Sequence, residues 1–322
     1  MKRIAGMAAL LLLVGLPAQA QPPRTIVAEV RAAIAKGDFA LGERLVAADR
    51  AAHGVTPSML EALSWLGRGA LAAKQWDKAE AYARQTYDLA VKELAHRKVD
   101  DEPHLPIALG AAIEVLAHVG VGRGARTDAV AFLRGELDTF ANTSLHKRIQ
   151  KNLNLLTLEG AVAPALDLSE HIGPPLPGLD AFKGKVVLLF FWAHWCPDCK
   201  AQAPVLGRLG ARYGKQGFTV IAPTQRYGYV AGGKAASAPE ETRYIEQILH
   251  ASYSALPVQS VPLSEVNHQR YGVSTTPTLV LIDRKGRIRL YHPGQMTEEA
   301  LEPLVHQLVN DRSQGTIGQI ER

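Results

Sequence analysis

Cysteine is scarce in this chain. Its 322 residues hold two, both in one tetrad, Cys196-Pro197-Asp198-Cys199. That scarcity excludes a fold braced by disulfides, which would spread several pairs over its surface. A structural zinc site is excluded as well, because no second Cys/His cluster completes a four-ligand set. Charge of one sign is also lacking. The 36 Lys and Arg against 31 Asp and Glu leave +5, and the few aromatics, 6% of the chain, do not interleave with a basic patch. Nucleic acid is therefore not an expected partner. Long apolar runs are missing beyond the N-terminus, so no later segment is expected to cross a membrane. No cofactor is expected either. Gly228 to Lys234 has the spacing G-x-x-x-x-G-K, but Ala235 replaces the Ser or Thr that would hold magnesium, so a plain glycine loop is expected.

The N-terminus carries an export signal. Lys2 and Arg3 precede an apolar stretch from Ile4 to Leu16, and Ala18-Gln19-Ala20 forms an A-x-A cleavage site. Residues 1–20 are expected to be a signal peptide, which places the rest of the chain in the periplasm or another extracytoplasmic space. Loss of Lys2 and Arg3 lowers the formal charge from +5 to +3 (5 − 2).

Two regions with different patterning follow. Residues 21–158 are rich in Ala and Leu, with helical periodicity and little strand signal. Leu66-Gly67, followed by Lys74-Gln75-Trp76-Asp77-Lys78-Ala79 and then Tyr82, Ala83 and Tyr87, resembles the tetratricopeptide pattern. Lys36 to Phe39 and the Leu116-to-Ala129 interval repeat parts of it. The run His146-Lys147-Arg148 with Lys151 is expected to be a solvated helix face. Residues 159–184 gather Pro164, Pro174, Pro175 and Pro177 and form a lead-in where helix cannot persist. Over residues 185–310 strands and helices alternate, as in an α/β domain. Strands are expected at Val186 to Phe191, Phe218 to Ala222, Thr278 to Asp283 and Ile288 to His292. Helices are expected at Lys200 to Tyr213, Glu240 to Ala251 and Thr297 to Asn310, with a short turn from Glu265 to Tyr271. Residues 311–322 are a tail.

The tetrad sits where the first of these strands gives way to helix. A cysteine there meets free backbone N–H groups and the positive end of the helix dipole, and both favour thiolate over thiol. Cys196 is the expected attacking thiol, ionised and accessible. Cys199, one turn further and more enclosed, is the expected resolving thiol. Pro197 suits the first helical position. Asp198 is welcome at a helix start but opposes a neighbouring thiolate. The chemistry implied is two-electron exchange with thiol or disulfide partners.

The run Phe190-Phe191-Trp192-Ala193-His194-Trp195-Cys196-Pro197-Asp198-Cys199-Lys200, with Gly272 to Thr278 and Leu281 to Gly286, resembles the thioredoxin superfamily. More narrowly it resembles the exported TlpA/ResA-like branch. The resemblance covers residues 160 to 310 and implies a thioredoxin-like central sheet flanked by helices, preceded here by an all-α region. It implies a thiol–disulfide oxidoreductase, working as a reductase on protein partners with a separate electron donor. It also implies a cis bond between Thr276 and Pro277 beside the cysteines, and a substrate groove flanked by Trp195. Two departures stand out. Phe190 occupies the place where many thioredoxins bury an Asp, and Gln202 stands where the branch has Glu. A carboxylate from the insertion at residues 226–254 is the alternative, with Glu240, Glu241 and Glu246 as candidates, although a solvated helix start accounts equally for Glu240 and Glu241. His194 is expected to be an exposed bystander.

Other chemistries fit less well. Lys200 rather than His after Cys199 excludes haem attachment. Leu189 and Ala193 stand where a peroxidase would need Pro and Thr. A soft-metal site at His194, Cys196 and Cys199, or a helical adaptor whose cysteine pair only senses redox state, are the competing readings.

Overall fold

The computed structural model describes residues 25–258 and 260–311. The expected signal peptide, and the tail after its first residue, lie outside them. Seven helices come first: α1 (Ile26–Ala35), α2 (Phe39–His53), α3 (Pro57–Ala72), α4 (Trp76–Glu93), α5 (His104–Gly122), α6 (Arg126–Thr139) and α7 (Leu145–Thr157). Side chains that satisfy free backbone N–H groups start several of them. Thr25 accepts from Ala28, Asp38 from Leu41, and Thr56 from Met59 just ahead of Pro57. The turns α1–α2, α3–α4 and α5–α6 each pass through a left-handed residue, Gly37 (φ 73°), Lys74 (φ 56°) and Gly124 (φ 84°). Lys74 adopts that geometry without a glycine's freedom.

Helix α5 departs from expectation. By length and hydropathy its 19 residues suffice to cross a membrane. Here it is a core helix, with Leu105, Leu109 and Ile113 fully buried against its neighbours. The basic run in α7 is not a solvated face either. Arg148 and Lys151 converge on Glu114 of α5, at 3.1 and 3.2 Å. Burial pushes the Glu114 carboxyl up, but Lys151 and Arg148 outweigh it and hold the group at about 2.

The rest runs β1 (His171–Ile172), β2 (Val186–Phe191), α8 (Pro197–Tyr213), β3 (Phe218–Ile221), α9 (Ala238–Ser252), β4 (Val261–Pro262), α10 (Glu265–Arg270), β5 (Thr278–Ile282), β6 (Ile288–Pro293) and α11 (Glu298–Asn310). The main sheet has the order β3-β2-β5-β6, with β2 parallel to β3 and antiparallel to β5. Every residue of β2 is buried because both faces are covered. Val186, Leu188 and Phe190 join the core under α8 and α11. Val187, Leu189 and Phe191 join a second core with Tyr271, Val273 and lead-in residues such as Leu176 and Phe182. This half is a thioredoxin-like sheet covered on both sides. β1 and β4 pair as a small separate sheet. They carry no sequence signal because each is two residues long.

Helix α7 packs on α10 and β6 and so joins the two halves. The tightest point is Gly272 (φ 61°), where a Cβ would lie 2.4 Å from the Lys151 backbone nitrogen.

Candidate active site

The redox tetrad is held by the turn between β2 and α8. Trp192 Nε1 donates to the Ala222 carbonyl at 3.0 Å, and Thr224 Oγ1 donates to the Trp192 carbonyl at 2.7 Å. These bonds tie the turn to the end of β3. Cys196 caps α8 with extended backbone, Pro197 takes the first helical position, and Asp198 is exposed in the first turn.

Cys196 Sγ accepts from the Cys199 N–H at 3.1 Å and, as a thiol, donates to the Thr276 carbonyl at 3.4 Å. The Thr276–Pro277 peptide is cis, and the Pro277 carbonyl accepts from Gly294 N at 2.8 Å. The loop carrying Thr276 thus lies directly over the cysteine at the helix cap. Trp195 is 47% exposed beside it.

The two sulfurs are electrostatically unequal. The Cys196 thiol is pulled down to about 6, first by a hydrogen bond from the Cys199 side chain and then by the Thr276 side chain and the Cys199 N–H. Burial and the Asp198 charge oppose that shift. The Cys199 thiol is pushed far up, chiefly by burial and then by the neighbouring Cys196. The expected difference in accessibility is absent. Cys196 is 2% exposed and Cys199 0%, because the cis-proline loop covers the first sulfur. Hydrogen bonds to the Cys196 sulfur and desolvation of the Cys199 sulfur, not surface exposure, separate them.

His194 is the main correction. It is no exposed bystander: its side chain and that of Glu241 are each 1% exposed, with Nε2 3.2 Å from Glu241 Oε1. Burial pushes the imidazole down, so at neutral pH it is uncharged and donates Nε2–H to the carboxylate. Glu241 is not a solvated helix start either. It also accepts from Tyr227 N at 2.5 Å and Gly228 N at 2.8 Å, locking the insertion onto the redox turn. Glu240, by contrast, completes a capping box with Ser237, and Glu246 is exposed. Gln202 is buried, and its Oε1 accepts from Met296 N at 2.7 Å. Phe190 packs its ring against Tyr253. The segment from Gly228 to Lys234 is closed by a bridge between Tyr229 and Ala235 and turns tightly at Ala231–Gly233.

Four tyrosines around the site carried no weight in the sequence. Tyr227, Tyr229 and Tyr244 stand edge-on to the His194 ring at 5.7, 5.5 and 5.2 Å. Tyr253 donates to the Ala193 carbonyl at 3.4 Å. The available clue was Tyr227-Gly228-Tyr229, two aromatics a step apart just after a strand. Among the described residues, no three His, Cys, Asp or Glu side chains are grouped to hold a metal ion.

Residues 159–308 match the Redoxin family. The chain is 27% identical over 153 residues to the thiol-disulfide oxidoreductase ResA of Geobacillus thermodenitrificans, covering 46% of this chain and 80% of that one. It is 30% identical over 144 residues to the thioredoxin-like protein YneN of Bacillus subtilis, covering 45% and 76%. Among solved structures, it is similar to a putative thiol:disulfide interchange protein DsbE from Chlorobium tepidum. That match has 28% identity and a TM-score of 0.37, covering 47% of this chain and 98% of that one. Through residues 159–308 the chain belongs to the redoxin family of the thioredoxin superfamily, beside the ResA-like proteins, and is a thiol–disulfide oxidoreductase.

Proposed function

We propose that the chain is exported and acts outside the cytoplasm as a protein-disulfide reductase, with Cys196 and Cys199 as its working pair. Cys196 attacks a substrate disulfide as thiolate, and Cys199 displaces the substrate from the mixed disulfide. A separate electron donor then returns the pair to the dithiol. The observation that carries this reading is the inequality of the two thiols: one is held near 6, the other far above the ordinary value. A thiol ionised at neutral pH is the competent nucleophile, and a neighbour kept protonated waits until the mixed disulfide forms. Thr276 and Pro277 form one wall of the substrate groove and Trp195 the other. Pro197 shapes the helix start that favours the thiolate, and the Asp198 charge tempers it.

The division into a signal peptide, a helical region to residue 158, a lead-in to 184 and a redox domain to 310 belongs to the same proposal. The helical hairpins, tetratricopeptide-like in their turns, recruit a protein partner. Their apolar groove of about 320 Å³, lined by Val46, Met59, Leu63, Leu66, Tyr82 and Leu89, supports that role.

Trapping tests the proposal. Reduced full-length Cys199→Ser protein is expected to retain a disulfide-linked partner from an oxidised extracytoplasmic extract, and the double Cys196→Ser, Cys199→Ser variant to retain none. No adduct with the single variant would overturn the assigned roles. A partner held by both variants without a covalent bond would support a helical adaptor instead.

A further inference from the structure

The reaction proposed above needs a group that stabilises negative charge on Cys199 as it attacks. Several polar atoms near the pair are already committed, while Gln202 Nε2 and His194 Nδ1 are buried without a partner of normal geometry among the described residues. Tyr253 donates to the Ala193 carbonyl, Gln202 Oε1 accepts from Met296, and both Glu241 oxygens are engaged.

Tyr227 brings an O–H donor. Its ring packs against the core cluster that contains Cys196 and Cys199, and stands edge-on to Trp195 with centroids 5.5 Å apart. Its hydroxyl is buried and makes no hydrogen bond of normal geometry among the described residues, with the Gln225 side chain as its neighbour. A buried hydroxyl left unpaired is costly, so such a group in a native core calls for a use. Its position is also set from behind. Glu241 grips the Tyr227 and Gly228 N–H groups and is itself held by His194, two residues before Cys196.

We infer that Tyr227 is a catalytic hydrogen-bond donor to the Cys199 sulfur in the resolving step, with Glu241 and His194 as its positioning residues. The inference rests on Cys199 being the resolving thiol. In that step the Cys199–Cys196 bond forms and the Cys196–substrate bond breaks. The bonding pair leaves on the substrate sulfur, which takes up the proton that Cys199 loses. Tyr227 keeps its own proton throughout. Burial and the nearby sulfurs push the phenol well above its ordinary value, which suits a donor that never ionises.

The test uses the full chain carrying glutathione as a mixed disulfide on Cys196, with glutathione release followed by acid quench and mass spectrometry. Tyr227→Phe preserves the ring and removes only the hydroxyl. It is expected to slow release about tenfold, the effect of losing one hydrogen bond to a charged group, while Cys196 alkylation stays within about twofold of wild type. Glu241→Gln is expected to slow release by a smaller factor. Release from Tyr227→Phe at the wild-type rate would overturn the inference. So would equal slowing of release and alkylation together with a lowered unfolding midpoint, which marks general loosening. If the wild-type adduct itself persists, Cys199 is not the resolving thiol, and the underlying reading fails first.

Discussion

The two halves of this molecule build their cores from different materials. In the helical half, Ala62, Ala70, Ala79, Ala83 and Ala111 are buried in the mutually packed helices α3, α4 and α5, so backbones approach closely with little side-chain bulk. In the sheet half, Phe190, Phe191, Trp192, Tyr253 and Tyr271 fill the interior. Small residues suit a scaffold whose helices must nest, and large aromatics suit a sheet covered on both faces that must hold a dry redox site. The halves also surround their buried carboxyl groups differently. Glu114 is neutralised by two cations, whereas Glu241 is met by an uncharged histidine and two backbone N–H groups. The first arrangement ties helices together, and the second places a loop against a reactive pair.

The largest expected effect comes from breaking the contact between the halves. Gly272→Ala forces a side chain into a left-handed residue and against the α7 backbone, and is expected to cost about 3 kcal/mol in denaturant unfolding. A loss under about 1 kcal/mol would show that α7 moves aside freely. The next effect lies inside the helical half. Glu114→Gln leaves Arg148 and Lys151 without their carboxylate and is expected to cost about 2 kcal/mol at neutral pH. The Glu114 pKa is depressed in the folded chain. Its contribution is therefore complete above the ordinary value of 4.5 and is lost as pH falls through about 2. Between those values the wild type should lose its advantage over the Gln variant, and a constant advantage would sink the pairing. The smallest effects are at the hairpin turns. Gly37→Ala, with open space around it, is expected to cost about 1 kcal/mol, and Lys74→Gly to gain a similar amount, since both positions are left-handed.

How much of this was legible in the sequence follows the same division. Strand β2 could be read because six consecutive apolar residues admit few alternatives, and α11 because Thr297 caps an amphipathic run. Helix α8 begins three residues before its apolar pattern, since Pro197 starts it in place of a hydrophobic residue. The cysteine pair declared itself by isolation. Its surroundings did not. His194 and Glu241 are 47 positions apart and meet only because α9 folds back over the redox turn, so neither carries a local mark of burial. Tyr227 was hidden for the same reason. The membrane-like composition of α5 is masked in the sequence because Ala and Gly dilute its apolar run, and only its neighbours reveal it as a core helix.

The proposed chemistry depends most on one sulfur being ionised at neutral pH while its neighbour stays protonated. Alkylation of the reduced full chain, followed across pH by mass spectrometry, reads this directly. Cys196 alone is expected to react, with a rate that climbs through about pH 6 and levels off above it, while Cys199 stays unmodified. Two thiols reacting at equal rates, both rising near the ordinary thiol value of 9, would contradict it.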